Sequence, residues 1–136
     1  MTTLQTADRP WHDTPTVIAS SRSRLLTVAL WVVSVATAGM FLMAGGSKLA
    51  GAPEMVGLFE VLGVGQWFRY ATGGIEVASA IALLIPSRAF YGALALAVTM
   101  VGAILTHLVV VGGSAAIPVV LLAATAFIAW ARRSER

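Results

Sequence analysis

Residues 25–44 read LLTVALWVVSVATAGMFLMA, twenty consecutive residues without a charge. As a helix this stretch is ~30 Å long, the thickness of a bilayer's hydrocarbon core. The basic pair Arg22 and Arg24 precedes it, as in a signal peptide. The apolar run is nevertheless longer than the roughly 7–15 residues of a signal h-region, and more apolar runs follow. It therefore reads as a retained transmembrane helix. Three more spans are expected downstream. They cover 67–85, closed by Pro86; 89–111, closed by Gly112 and Gly113; and 115–131, with Pro118 in the first turn, where a missing N–H does little harm. The expected fold is all-α, a four-helix transmembrane bundle.

Composition supports this reading. Of the 136 residues, 58% are hydrophobic and 11% are charged, where an ordinary soluble domain carries about 25% charged residues. Nine basic and six acidic side chains are too few to build the polar shell of a soluble core. The absence of cysteine excludes a disulfide framework, a dithiol redox centre, a thiolate nucleophile and any Cys-ligated metal or iron–sulfur cluster. The formal net charge of +3 would suggest nucleic-acid binding in a soluble protein. Here the basic residues flank apolar runs, so the bilayer is the expected partner and nucleic acid is not.

Outside the spans, residues 1–24 are polar, rich in Ser and Thr, and contain Pro10 and Pro15. They read as a disordered cytoplasmic tail before a membrane domain over 25–131 and a basic C-terminus over 132–136. Between the first two spans, Pro53 and Glu54 mark a helix start. Met55, Leu58, Phe59 and Leu62 then fall at i, i+3, i+4 and i+7, away from Glu54, Gly57 and Glu60. This spacing predicts a short amphipathic helix at the membrane surface, too short to span. No internal repeat relates the two helix pairs, which argues against an inverted-repeat transporter. Arg9, Arg22, Arg24, Arg88, Arg132, Arg133 and Arg136 fall on one side of the expected spans, and only Lys48 and Arg69 on the other. That asymmetry places both termini in the cytoplasm, with Trp67 and Tyr70 at the outer interface and Trp130 at the inner one.

Four ionisable residues lie within or at the ends of the spans. Glu76 is roughly 13 Å along its helix from Trp67. A carboxylate at that depth is costly and should face the bundle interior, where it either serves a function or ties two helices together. His107 shares a helix face with Thr99, Met100 and Ala103. It reads as a ligand or relay residue, or as a helix-packing histidine. A metal site is not expected, because too few other ligands are in evidence. Lys48 ends the first span in the small-residue segment GGSKLAG, where lysines commonly snorkel to the headgroups. Arg69 precedes Glu76 by seven residues on the same face, with Thr72 and Gly73 between them. In the expected topology all four fall in the outer half of the bundle. They describe an outward polar pocket around Glu76, also lined by Gly45, Thr72, Gly73, Thr99, Met100 and Ala103. Such a pocket suits a quinone headgroup or another small polar molecule, or a proton relay. No residue is assigned a catalytic role.

The segments AGGSKLAG over 44–51, LFEVLGVGQWFRYATGGIEVASAIALLIP over 58–86 and MVGAILTHL over 100–108 carry a pattern in order and spacing. Gly45, Lys48 and Leu49 come first, then Phe59, Leu62 and Gly63, then Gly73 and Glu76, then Gly102, Ala103 and His107. In this the chain resembles the DoxX-like membrane proteins over roughly residues 26–131. The resemblance implies a four-helix bundle in a bacterial inner membrane. It also implies a loose association with thiosulfate:quinone oxidoreduction and other membrane redox complexes. The lack of cysteine departs from the dithiol-bearing branches of related four-helix proteins and removes thiol transfer.

The leading expectation is a small accessory or binding subunit in membrane redox or quinone metabolism, leaning non-catalytic. Quinone is the candidate cofactor, and a membrane redox protein or a second copy the candidate partner. A second reading is a proton-coupled exporter of small cations. Small multidrug transporters, however, keep their acidic residue in the first span, and residues 25–44 have none. A third is a non-catalytic assembly factor.

Overall fold

The computed structural model describes residues 16–135, with side chains from residue 23 onward. Five α-helices are present: α1 (Thr16–Ala50), α2 (Pro53–Leu62), α3 (Gln66–Leu83), α4 (Ala89–Thr106) and α5 (Ala116–Ala131). A 3₁₀ turn over Pro86–Arg88 joins α3 to α4, and a π turn over His107–Val111 extends α4. No strand occurs among the described residues.

The first helix departs from the expected boundaries at both ends. It begins at Thr16, so residues 16–24, assigned above to a disordered tail, are helical. No glycine or proline interrupts the chain between Pro15 and the apolar run, so nothing breaks the helix as it grows upstream. The rest of the expected tail, 1–15, lies outside the described residues. Downstream, α1 continues through Lys48 to Ala50. It stops where Gly51 takes a left-handed φ of 73° and the Ala52 N–H reaches back to the Ser47 carbonyl at 3.0 Å, a glycine C-cap. The expected helix over 89–111 is not uniformly α-helical either, because it widens into the π turn at His107. The amphipathic helix over 53–62 is present as α2. Phe59 is buried, Met55, Leu58 and Leu62 are half-buried, and Glu54 and Glu60 are exposed.

α1 packs on α3, α3 on α4 and α4 on α5, while α5 meets α1 more lightly and α2 lies against α3. Successive long helices run in opposite directions. Gly45, near the end of α1, lies against Gly73 in the first half of α3, and Gly92, near the start of α4, lies against Ser79 and Leu83 at the end of α3. Arg132, just past α5, sits over Trp31 in the first half of α1. Lys48, α2, Arg69 and His107 therefore gather at one end of the molecule.

Much of the interior is small. Ser34, Thr37, Ala38, Gly45, Gly73, Ser79, Ala80, Ala89, Gly92, Ala93 and Thr125 are buried, along with the larger Phe41, Leu83, Leu96, Met100 and Ile128. Many large apolar side chains point outward instead, among them Leu25, Val28, Val32, Met43, Val98, Leu105, Val109, Ile117 and Val120. In lipid, expelling water cannot drive helices together, so close backbone packing through small residues takes its place. Two stretches, Ser23–Ala50 and Pro86–Val111, are long and apolar enough to cross a membrane. Only 22% and 11% of their apolar windows are buried, so they are not the core helices of a soluble domain. α5 is apolar but shorter. Arg69, Glu76 and several small polar residues dilute the hydropathy of α3.

Candidate functional site

The site is built where α1 and α3 approach most closely. A methyl group added at Gly45 would lie 2.9 Å from the Gly73 carbonyl oxygen, and one added at Gly73 would lie 3.0 Å from the Lys48 Cβ. Only glycine at both positions allows this approach. With the backbones so near, Lys48 leans across the contact and its Nζ donates to Glu76 Oε2 at 2.7 Å. The Glu76 side chain is 3% exposed and that of Lys48 15%. The two residues are 28 positions apart, and the pair joins the end of α1 to the middle of α3.

Arg69 lies one layer nearer the helix ends. It is buried, and its terminal nitrogen donates to the Lys48 backbone carbonyl. That carbonyl belongs to the last turn of α1, where the chain itself offers only the Gly51 N–H, at 3.4 Å. Arg69 Nε also donates to Gln66 Oε1 at 2.6 Å, and Gln66 Nε2 donates to the Val56 carbonyl of α2 at 3.1 Å. The Tyr70 ring stacks under the guanidinium at 4.2 Å. Phe59 of α2 meets Phe68 of α3 edge-on, with centroids 5.9 Å apart. A continuous set of polar contacts thus runs from α2 through Gln66 and Arg69 to the backbone of Lys48, whose side chain holds Glu76.

The structure brings Lys48 and Glu76 together and places Arg69 beside them. His107 does not join them: its Nδ1 is 2.9 Å from the Ala103 carbonyl of its own helix, and no hydrogen bond or ion pair links it to Glu76. Thr72 bonds the Phe68 and Arg69 carbonyls, and Thr99 the Ala95 carbonyl, each within its own helix. Met100 is buried in the core and Ala103 packs beside it. Two open apolar hollows lie elsewhere. One of about 270 Å³ is bounded by Met40, Ala116, Ile117, Val120 and Leu121, and one of about 430 Å³ by Trp31, Val32, Val35 and Ala36. Gln66 and Gly51 escaped the sequence reading, and Tyr70 was read only as an interface residue, not as the ring under Arg69. The one signal for Gln66 is an amide opening an apolar helix three residues before Arg69, on the same face.

The DoxX-like family profile matches residues 32–129, a stretch that runs from α1 to the end of α5 and includes Lys48, Arg69 and Glu76. The chain belongs to the DoxX-like family. No curated protein and no solved structure matches it. Membership in this membrane-protein family accounts for the outward-facing large side chains, which contact the lipid bilayer. Within this DoxX-like chain the Lys48–Glu76 pair sets an ammonium with three donor protons against a carboxylate acceptor. Glu76 takes one of those protons. The others can serve a ligand oxygen.

Proposed function

We propose that this DoxX-like protein crosses a bacterial inner membrane four times, with both termini in the cytoplasm. On this reading it is a small non-catalytic binding subunit in membrane redox or quinone metabolism, and the Lys48–Glu76 pair is its binding site. The observation that carries the reading is the buried ion pair itself, 2.7 Å across. A paired charge in the interior of a membrane protein is expensive to maintain and marks function by default. A quinone headgroup suits it chemically, because its carbonyl accepts from an ammonium and its reduced hydroxyl donates to a carboxylate. The pair also weighs against a cation exporter. Lys48 already occupies the cation's place at Glu76, and a cargo would have to displace it.

The test is gentle purification of the full chain, followed by mass spectrometry of bound small molecules and proteins. A quinone or a membrane dehydrogenase should copurify with the native chain and be lost from Glu76→Gln, which keeps the side chain's shape but not its charge. Equal retention by Glu76→Gln and Glu76→Leu would leave the pair as helix glue and overturn the reading. Proton-gradient-dependent resistance to cationic dyes on overexpression would replace it with the exporter.

A further inference from the structure

The opposite end of the molecule holds a second unusual group. Arg132 follows α5 and is 3% exposed. Its terminal nitrogen donates to Glu135 at 2.8 Å, while its buried Nε has no hydrogen-bond partner. Its guanidinium lies 5.1 Å from the centre of the Trp31 ring. Trp31 in turn lines the 430 Å³ hollow with Val32, Val35 and Ala36. The hollow lies on α1, whose contact with α5 is light. Arg133 adds a second cation, 4.7 Å from the Trp130 ring centre. An arginine beside an open apolar face complements the two parts of a phospholipid, an anion joined to a chain.

We propose that the outward face of α1, beside the end of α5, holds one anionic phospholipid, with its phosphate on Arg132 and Arg133 and an acyl chain against the open hollow beside Trp31. The Nε edge of a guanidinium is suited to bidentate anion binding, and on Arg132 that nitrogen is unused. Glu135, 43% exposed on a short terminal turn, supplies the carboxylate that the phosphate would replace. Charge therefore selects an anionic headgroup over a zwitterionic one. The inference needs only bilayer contact and does not depend on the Lys48–Glu76 reading.

The test titrates the delipidated full chain in nonionic detergent with dioleoyl phosphatidylglycerol, dioleoyl phosphatidylcholine or inorganic phosphate, read by native mass spectrometry. Phosphatidylglycerol should bind about tenfold more tightly than phosphatidylcholine, the scale of one charge-assisted contact. Arg132→Gln should abolish that preference. Glu135→Gln removes the competing carboxylate and should tighten phosphatidylglycerol binding about threefold, the range of an exposed ion pair. Val35→Trp fills the hollow and should weaken both lipids without changing the oligomeric state. Equal binding of the two lipids, or no gain from Glu135→Gln, overturns the proposal. Full competition by inorganic phosphate would reduce the site to an anion site with no role for the chain. A changed oligomeric state in Val35→Trp with lipid binding intact would make the hollow an interface between copies. If Arg132→Gln fails to fold, Glu135→Gln decides alone, once its far-UV circular dichroism matches that of the native chain.

Discussion

Breaking the Lys48–Glu76 pair from its two sides should cost different amounts. The Glu76 side chain is 3% exposed and anchored in the middle of α3. In Lys48→Met the carboxylate keeps its buried position and loses its cation, which should cost ~3–5 kcal/mol. Lys48 is 15% exposed and lies in the last turn of α1. In Glu76→Leu the ammonium can swing its stem outward toward the headgroups, so the loss should be nearer ~1.5–3 kcal/mol. Lys48→Met combined with Glu76→Leu leaves no charge and roughly conserves volume, so it should be more stable than Lys48→Met alone. The coupling energy of the cycle should then exceed the Glu76→Leu loss, at least ~1.5 kcal/mol. Reversible unfolding in mixed micelles, followed by far-UV circular dichroism, measures all four proteins. Additive single losses, with the double variant the least stable, would refute the argument. Equal losses from the two single variants would refute its asymmetry.

Gly45→Ala should lose about 1–3 kcal/mol through overpacking against the Gly73 carbonyl, 2.9 Å from the new methyl. Gly46→Ala meets nothing within 4 Å and should gain up to about 1 kcal/mol of helix propensity; the same unfolding assay separates them. Arg69→Met strands Gln66 Oε1, leaves the Lys48 carbonyl only the long bond from the Gly51 N–H, and should cost about 1.5–3 kcal/mol. Arg69→Lys should recover only part of that loss, because an ammonium lacks the planar fork that reaches both acceptors. Alkaline phosphatase fused after Arg136 should be inactive, and fused at Gly113 active, as the positive-inside asymmetry requires; the reverse pattern would invert the proposed topology.

Local pattern was enough for the helices. The apolar run at 25–44, Pro86, and the glycine pair Gly112 and Gly113 bound segments whose length and composition allow little but helix. The spacing of Met55, Leu58, Phe59 and Leu62 made α2 and its inward face legible. The ends of α1 and the π turn were not. Polarity suggested a tail up to residue 24, but polarity alone does not end a helix, and α1 starts at Thr16. The π turn at His107 is a small change in hydrogen-bond register that no hydrophobic period records.

The site divides along the same line. Glu76 in an apolar helix announced a costly group that needed a partner, and its sequence neighbourhood offered Lys48, Arg69 and His107. Choosing among them required the relative rotation and depth of two helices. Periodicity within each helix does not contain that information. It is set by the contact of Gly45 with Gly73, which brings α1 close enough for Lys48 to reach Glu76. His107 instead takes the Ala103 carbonyl four residues back. Arg69 shares a helix face with Glu76, yet its donors go to the end of α1 and to Gln66. The residue types of the site were thus determined by the sequence alone. Their pairing was decided by tertiary packing, because an ion pair forms between atoms within reach and reach is a property of the assembled helices.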